Sequence, residues 1–454
     1  MKLKQAIAII VFTALMLTSG CAALLEGDRY SESLFNIPEY VPEEDPPEER
    51  IEIADYDELI AAMMDMITEH ESSGQLVNTS FDEEALQGMV DRAANEIMTY
   101  HPIGAYAVSG IAGMVVREQS YNEIDISIEY KRTKEQVGSI VNVSTIRYLR
   151  TELLSIMSDY REEAVFRSML DITEDNIRDY AREIYYENPR YILMLPVIAF
   201  EAFPPEGDDR IIELRFAHIE QTSILLQYGS SLTTHVRGNA GLAAGMNDGE
   251  TLLSLVENLM ASVSFDEHAA RSISEHGAQN FAATAFGALV RQNAVGEGFA
   301  MAFKALCDEL GFECRVVLGY FDQMVHAWNI VSLFGEYYFI DVAMGTLNGV
   351  ESSFLKTDED FLELQYVWDF DNTVRCNGAL TYEDILFADE DNQTIGSGRP
   401  GSGFNTGANG GANGETDDET DDEPDDESDD EENGGTDEET DDETDEKDDG
   451  EDEL

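Results

Sequence analysis

The sequence has 454 residues and a formal net charge of -67, from 94 acidic and 27 basic side chains. This length allows about two or three domains and a sizeable core. Nucleic-acid phosphates would be repelled by a surface this acidic, so we expect no nucleic-acid partner.

The amino-terminal segment has the pattern of an export signal. Lys2 and Lys4 precede an apolar run, residues 6–17, that is too short to span a bilayer. The run leads to the letters LTSGC, ending at Cys21, and resembles a bacterial lipoprotein signal, in which the peptide is cut before a cysteine that carries the lipid. We predict a signal peptide over residues 1–20, lipidation of Cys21, and attachment to the extracytoplasmic face of a membrane in the bacterial cell envelope. The alternative is an ordinary secretory signal with an unrelated cysteine.

Residues 21–50 are acidic and rich in proline. This composition favours an extended tether over a packed domain, because it offers few apolar side chains to bury. The leader and the tether together describe an exported protein that meets a membrane through lipid on Cys21.

Residues 51–228 predict an α+β region with an internal duplication. Each copy has a helix, a proline, a strand-like stretch and an alternating strand. The copies cover residues 86–99, 102, 103–116 and 124–130, and then residues 177–186, 189, 190–203 and 212–216. Alternation gives one buried and one wet face, as in an antiparallel sheet covered by helices on one side.

The next segment predicts a connection to a second region. We expect a glycine-rich loop over residues 238–249, followed by a helix over residues 251–263. His268 and His276 come next, but no third ligand stands nearby at metal-site spacing. We therefore interpret them as surface histidines and expect neither a metal nor a cofactor.

A helix and a β-hairpin follow from residue 296 onward. Apolar residues recur at three and four positions after Gly296, and Gly311 stands where a C-cap glycine would. A strand over residues 314–320 precedes a hairpin that turns at Phe334-Gly335. That turn would bring His326 and Asp341 onto one face, where the carboxylate can orient the imidazole.

These segments resemble the transglutaminase-like superfamily, which has a papain-like cysteine-protease core. The likeness covers residues 281–341 and continues through residues 354–358 and 366–369. It implies that His326 holds the general-base position and Asp341 the orienting position. Trp328, Asn329 and Glu297 would take the flanking places.

The same resemblance places Gly296 where the nucleophilic cysteine opens a helix. Cysteine suits that place because the helix dipole and a nearby histidine lower the thiol pKa. Glycine cannot supply a nucleophile. His326 and Asp341 are then a remnant dyad, retained as a structural pair, as part of a ligand site or for altered catalysis.

The other cysteines of the body are poor replacements. Cys307 lies about 16 Å further along the same helix and in its apolar stripe. Cys314 begins the next strand, and Glu297 is a weak nucleophile for amide chemistry. With Cys376 the body cysteines are odd in number, which argues against a full disulfide framework. One pair could form, but buried free thiols are the simpler expectation.

Residues 391–454 are rich first in glycine and asparagine and then in aspartate, glutamate and threonine. Like charge with almost no apolar side chains predicts disorder. A purely solvating tail, weak binding of divalent cations and docking on a basic partner all remain open.

The predicted architecture is α+β. An N-terminal α+β region precedes a transglutaminase-like core over residues 250–390, and a disordered acidic tail follows. We interpret the chain as a membrane-anchored pseudoenzyme that binds a peptide, cell-wall or protein ligand. One alternative is an active peptidase or transamidase with an unrecognised nucleophile. Another is an architectural protein whose working part is the tail.

Overall fold

The computed structural model of this chain describes residues 50–387. Helices and strands both contribute throughout this part, which confirms the α+β class. The expected signal peptide, the lipidation of Cys21, almost all of the tether and the acidic tail lie outside the described residues. Within the described part, no helix is both long and apolar enough to cross a membrane.

The described chain opens with a first unit, residues 51–130. Its elements are β1 (Ile51–Glu52), α1 (Tyr56–Glu69), β2 (Ser73–Asn78), α2 (Glu83–Tyr100), α3 (Pro102–Ala107), β3 (Val108–Arg117) and β4 (Asn122–Tyr130). The strands form a four-stranded sheet in the order β1-β2-β4-β3. β1 and β2 are parallel, and the other neighbours are antiparallel. Asp55 and Asp82 cap α1 and α2 by accepting backbone N–H groups, which fixes where each helix begins.

A second unit, residues 141–217, follows a short helix α4 (Lys134–Gly138). Its elements are β5 (Val141–Val143), α5 (Ile146–Ser158), β6 (Glu163–Ser168), α6 (Glu174–Glu187), β7 (Val197–Phe203) and β8 (Arg210–Ala217). The sheet order is β5-β6-β8-β7, with β5 and β6 parallel and the rest antiparallel. The two units therefore share one topology.

Two strand-like stretches begin later than the sequence pattern suggested. Residues 102–107 form α3, because Pro102 suits the first turn of a helix, and β3 starts only at Val108. In the second unit, the amides of Tyr191 and Ile192 donate to the carbonyl of Asn188, so the chain turns before β7 begins at Val197.

The C-terminal region, residues 222–386, is built around one buried helix and one sheet. Its helices are α7 (Thr222–Leu242), α8 (Asp248–Ser262), α9 (Glu267–His276), α10 (Ala285–Leu289), α11 (Gly296–Leu310), α12 (Val342–Asn348), α13 (Asp358–Glu363) and α14 (Tyr382–Leu386). Its strands are β9 (Ser264–Phe265), β10 (Asn293–Ala294), β11 (Cys314–Phe321), β12 (Met324–Leu333), β13 (Glu336–Ile340) and β14 (Val367–Trp368). The main sheet has the order β13-β12-β11-β14, and β9 pairs with β10.

The expected glycine-rich loop is largely helix. α7 runs through Gly238 to Leu242, because Leu232, Val236 and Ala240 continue its buried stripe at four-residue spacing. His268 and His276 both lie on α9, whose only buried residue is Ala269.

The hydrophobic core is continuous between the second unit and the C-terminal region. Residues of α5, α6, β8 and α11 belong to one buried cluster. The first unit packs a separate cluster between its helices and its own sheet. A third cluster lies on one face of the main C-terminal sheet. The second unit is thus part of the platform on which α11 is held.

Candidate functional site

The candidate site lies where α11 begins. Gly296 is buried in the first turn, and the preceding residue Val295 donates its backbone N–H to the carbonyl of Ala282. A Cβ at Gly298 would stand 2.1 Å from that same carbonyl oxygen, so glycine is required there for the close approach. The start of α11 is therefore fixed by backbone packing.

The hairpin of β12 and β13 brings His326 to Asp341. Phe334 (φ 53°) and Gly335 (φ 87°) form its two-residue turn, as the sequence indicated. Asn329 pairs with Ile340, which puts the next position, Asp341, opposite Trp328. His326 Nε2 lies 2.6 Å from Asp341 Oδ2.

Asp341 is fixed by two further hydrogen bonds. Its Oδ2 also accepts from the Tyr366 hydroxyl at 2.8 Å, and its Oδ1 accepts from the Met344 amide at 3.0 Å as the N-cap of α12. Sequence reasoning did not assign Tyr366 to the site. The available signal was its place in the closing segment, but only folding shows that β14 brings this tyrosine to the dyad.

The pair determines the charge of the imidazole. Burial alone would lower the pKa of His326, but the charge and the hydrogen bond of Asp341 outweigh it and raise that pKa above its ordinary value. Burial, with the charge of Asp341, also raises the pKa of Tyr366, so its hydroxyl stays protonated and donates. The Asp341 carboxylate thus favours the protonated form of the His326 imidazole.

The imidazole fills the place that a side chain at position 296 would need. A Cβ at Gly296 would lie 2.4 Å from His326 Nδ1 and 2.6 Å from its Cε1. These separations are far below van der Waals contact. Any larger residue at this position must therefore displace the ring that Asp341 holds.

Trp328 and Asn329 support the site from within the protein. Trp328 is 0% exposed, packs among the rings of Phe361 and Tyr366, and has no hydrogen-bond partner for Nε1 within the described part of the chain. Asn329 donates from Nδ2 to the carbonyl of Ala300 on α11 at 3.0 Å. Adjacent strand residues point to opposite faces, so Trp328 packs into the third cluster and Asn329 binds the strand to α11.

Glu297 connects the start of α11 to the second unit. Its carboxylate Oε1 accepts a hydrogen bond from the Tyr186 hydroxyl of α6 at 2.8 Å. Burial raises the pKa of Glu297, and the bond from Tyr186 only partly offsets this rise. The Glu297 carboxylate is therefore engaged by α6.

The three cysteines of the described body are all buried as free thiols. Burial raises the pKa of Cys307 well above its ordinary value, and it raises that of Cys376 too. Nucleophilic cysteines instead have lowered pKa values and partial exposure. None of the three has the environment of an activated thiol.

An exposed apolar row crosses strands β12, β11 and β14. Tyr320 of β11 pairs with Val325 of β12 on one side and with Val367 of β14 on the other. Cross-strand partners share a face, and these three are 51%, 63% and 60% exposed. By strand parity the row is on the sheet face where Asn329 meets α11, so it extends that face into solvent.

Comparison with known proteins gives distant structural likenesses. No model of a known protein family and no curated protein matches this chain. A solved structure described as "a TGase" matches at a TM-score of 0.25 and 11% identity, over 58% of this chain and 65% of that one. A "Putative Cysteine Protease from Cytophaga hutchinsonii" matches at 0.21 and 14%, over 33% and 64%. This chain thus spans just under two thirds of each neighbour, and its site is interpreted from its own residues.

Proposed function

We propose that residues 250–390 form a transglutaminase-like, papain-like domain that binds an extended peptide and does not catalyse. The His326–Asp341 pair beside a glycine at the start of a buried helix supports this family assignment. In the proposed setting, the protein is held on the extracytoplasmic face of a bacterial membrane by lipid on Cys21. Its ligand is a peptide of a cell-envelope protein or of the cell wall.

The observation that carries the proposal is the apolar row of Tyr320, Val325 and Val367. Exposed apolar side chains in register across three strands offer a surface for an extended chain with alternating apolar residues. By strand alternation the row lies on the sheet face opposite to the His326 side chain, so a ligand on the row is held by these apolar side chains and not by the imidazole.

The competing function is a peptidase or transamidase with an unrecognised nucleophile. Burial of Cys307, Cys314 and Cys376 and the engagement of Glu297 by Tyr186 weigh against it. Turnover that survives changing the three body cysteines to serine would favour this altered mechanism over the binding role.

Peptide binding tests the proposal directly. The full chain is screened against a fluorescent library of extended peptides, and the peptides bound are titrated against Val325→Asp and Val197→Asp. Val325 is 63% exposed and Val197, on the edge strand β7, is 62% exposed, so the two changes are matched. We expect at least tenfold weaker binding for Val325→Asp alone. Equal binding by both variants, or no peptide bound, would reject the proposed surface.

A cysteine at position 296 tests the family assignment separately. Alkylation of Gly296→Cys is followed against pH, with Gly88→Cys as reference because a side chain there meets nothing within 4 Å. In a transglutaminase-like site the thiol reacts already near pH ~6, and His326→Ala removes this reactivity. Because a Cβ at position 296 must displace the His326 ring, a profile identical to that of Gly88→Cys, with a midpoint near about 8.5, would show that the displaced ring does not activate a thiol there and would contradict a cysteine-type site.

A further inference from the structure

The described cysteines divide into a pair and a single residue. Cys307 belongs to α11 and Cys314 is the first residue of β11, and both lie in the cluster shared with the second unit. Burial raises the pKa of the Cys307 thiol, and the neighbouring Cys314 thiol raises it further. Cys376 lies in the separate cluster behind the sheet, where its sulfur is 4.0 Å from the carbonyl oxygen of Val374.

The turn after α11 produces this pairing. Gly311 adopts a left-handed conformation (φ 80°), and the amide of Phe312 donates back to the carbonyl of Cys307 at 2.9 Å. This closure reverses the chain within a few residues, so β11 starts over the last turn of the helix. Ser332 of β12 then donates to the carbonyl of Glu313, which holds the start of β11 in the sheet.

We propose that Cys307 and Cys314 form a disulfide that fastens the carboxyl end of α11 to β11. The bond would join two buried thiols of one core cluster and leave Cys376 as the free thiol of the described body. This inference is independent of the proposed function.

The reaction is a thiol–disulfide exchange with an external disulfide, such as oxidised glutathione or the disulfide form of a thiol oxidoreductase. One thiolate of the pair attacks the donor disulfide and gives a mixed disulfide. The second thiolate then displaces the donor as a thiolate. Two S–H bonds are lost and one S–S bond forms, and two electrons and two protons pass to the donor and solvent.

Burial determines when this exchange occurs. Cys307 is 0% exposed and Cys314 is 5% exposed, so a donor reaches neither sulfur in the folded protein. Exchange requires a thiolate, and burial raises the pKa of Cys307. The bond therefore forms while α11 is still docking, and afterwards it resists reductants until the protein unfolds.

Peptide mapping tests the bond without any substitution. The full chain is refolded with reduced and oxidised glutathione, unfolded in acid, alkylated and digested with trypsin. Cleavage after Lys304 and Arg315 releases residues 305–315, which carry both cysteines. We expect this peptide to carry no alkyl group and to be lighter by two hydrogen atoms than its reduced form. Cys376 should be alkylated. A further cut after Glu309 should leave the pieces joined until a reductant is added.

Matched variants complete the experiment. Cys376→Ser should leave the linked peptide unchanged, whereas Cys307→Ser should leave Cys314 alkylated. Two alkyl groups on residues 305–315 at every glutathione ratio, in protein with wild-type circular dichroism, would overturn the proposal. A link from either residue to Cys376, or a stable adduct of glutathione on Cys314, would overturn it as well.

Discussion

The first and second units have the same topology but different positions in the molecule. Asn78, at the end of β2, donates to the carbonyl of Ile53 at 2.8 Å, and Ser168, at the end of β6, donates to that of Val143 at the same distance. Each side chain also accepts a bond from the amide two residues on. In both units, the two parallel strands are therefore joined by the same pattern of side-chain hydrogen bonds.

A second correspondence is a contact between a histidine ring and a tyrosine ring in each unit. His70 follows α1 with a positive φ and stacks on Tyr130, with ring centroids 3.9 Å apart. Tyr160 follows α5 with a positive φ and meets His218 edge-on, with centroids 5.8 Å apart. Histidine and tyrosine have exchanged places, but both pairs link the end of a helix to the end of a strand.

The units differ in what they pack against. The first keeps its own core, and it meets the second through Tyr106 and the ion pair of Arg132 and Glu213 at 2.5 Å. The second shares its core with α11, and Arg190 and Tyr186 bind Glu309 and Glu297 of that helix. One topology therefore serves as an appended unit in the first case and as part of the site's platform in the second.

The largest effects should come from matched cavities in the two cores. Leu59 of α1 and Leu149 of α5 are both 0% exposed and follow their N-caps at the same distance. Replacing either leucine by alanine should lower the free energy of unfolding by about 2–5 kcal/mol. Hydrogen exchange, followed by mass spectrometry, should quicken in α11 for Leu149→Ala and only within residues 51–130 for Leu59→Ala. Equal acceleration of α11 by both would remove the distinction between the units.

Breaking the contact between the units should have the next largest effect. Arg132→Met leaves the Glu213 carboxylate, which is 3% exposed, with Arg215 as its one remaining ion-pair partner among residues 50–387. We expect the free energy of unfolding to fall by about 1–3 kcal/mol and proteolysis between the units to become faster. Arg178→Met is the control, because its pair with Glu174 is half exposed and should contribute about 0–1 kcal/mol. A loss no larger than the control's would show that Tyr106 and its neighbours hold the units together.

Removing the side chain that joins the two parallel strands should lower the free energy of unfolding by a smaller amount, which differs between the two units. Asn78→Ala removes bonds to Ile53, Ser80 and Phe81, whereas Ser168→Ala removes bonds to Val143 and Leu170. In urea unfolding, we expect the free energy of unfolding to fall by about 2 kcal/mol in Asn78→Ala and by about 1 kcal/mol in Ser168→Ala. The reverse order would show that the loss does not follow the number of hydrogen bonds removed.

The smallest effect concerns pH and involves only the C-terminal region. The pKa of His326 is raised in the folded protein, so its pairing with Asp341 stabilises the fold fully below the unfolded pKa of about 6.5. That contribution is lost as pH rises through the folded pKa. Urea unfolding from pH 5 to 9 should show this loss of stability in the wild type and not in His326→Gln. An unchanged profile in the variant would assign the pH dependence to other groups.

Much of the local structure followed from the sequence. The α+β class, the helix after Gly296 and the turn at Phe334-Gly335 depend on apolar periodicity and turn chemistry, which act over a few residues. The register of that hairpin follows from its two-residue turn. For this reason the approach of His326 to Asp341 could be expected from the sequence alone.

Local pattern failed where distant groups decide the conformation. Residues 102–107 carry a strand-like run but form α3, because Pro102 starts a turn of helix and Gly104 packs against the backbone of Ile97. Residues 238–242 are rich in glycine but continue α7, because the stripe that ends at Ala240 is buried. In both places tertiary burial outweighs intrinsic propensity.

The types of side chain at the candidate site, including the glycine at position 296, could be read from the order of the residues. Their interactions depend on how distant elements pack together. Tyr366 comes to Asp341 by the pairing of β14 with β11, Tyr186 comes to Glu297 by the docking of α6, and the imidazole of His326 fills the space that a 296 side chain would need. These contacts join residues far apart in the chain, and their geometry depends on packing between elements, which periodicity within one element does not encode.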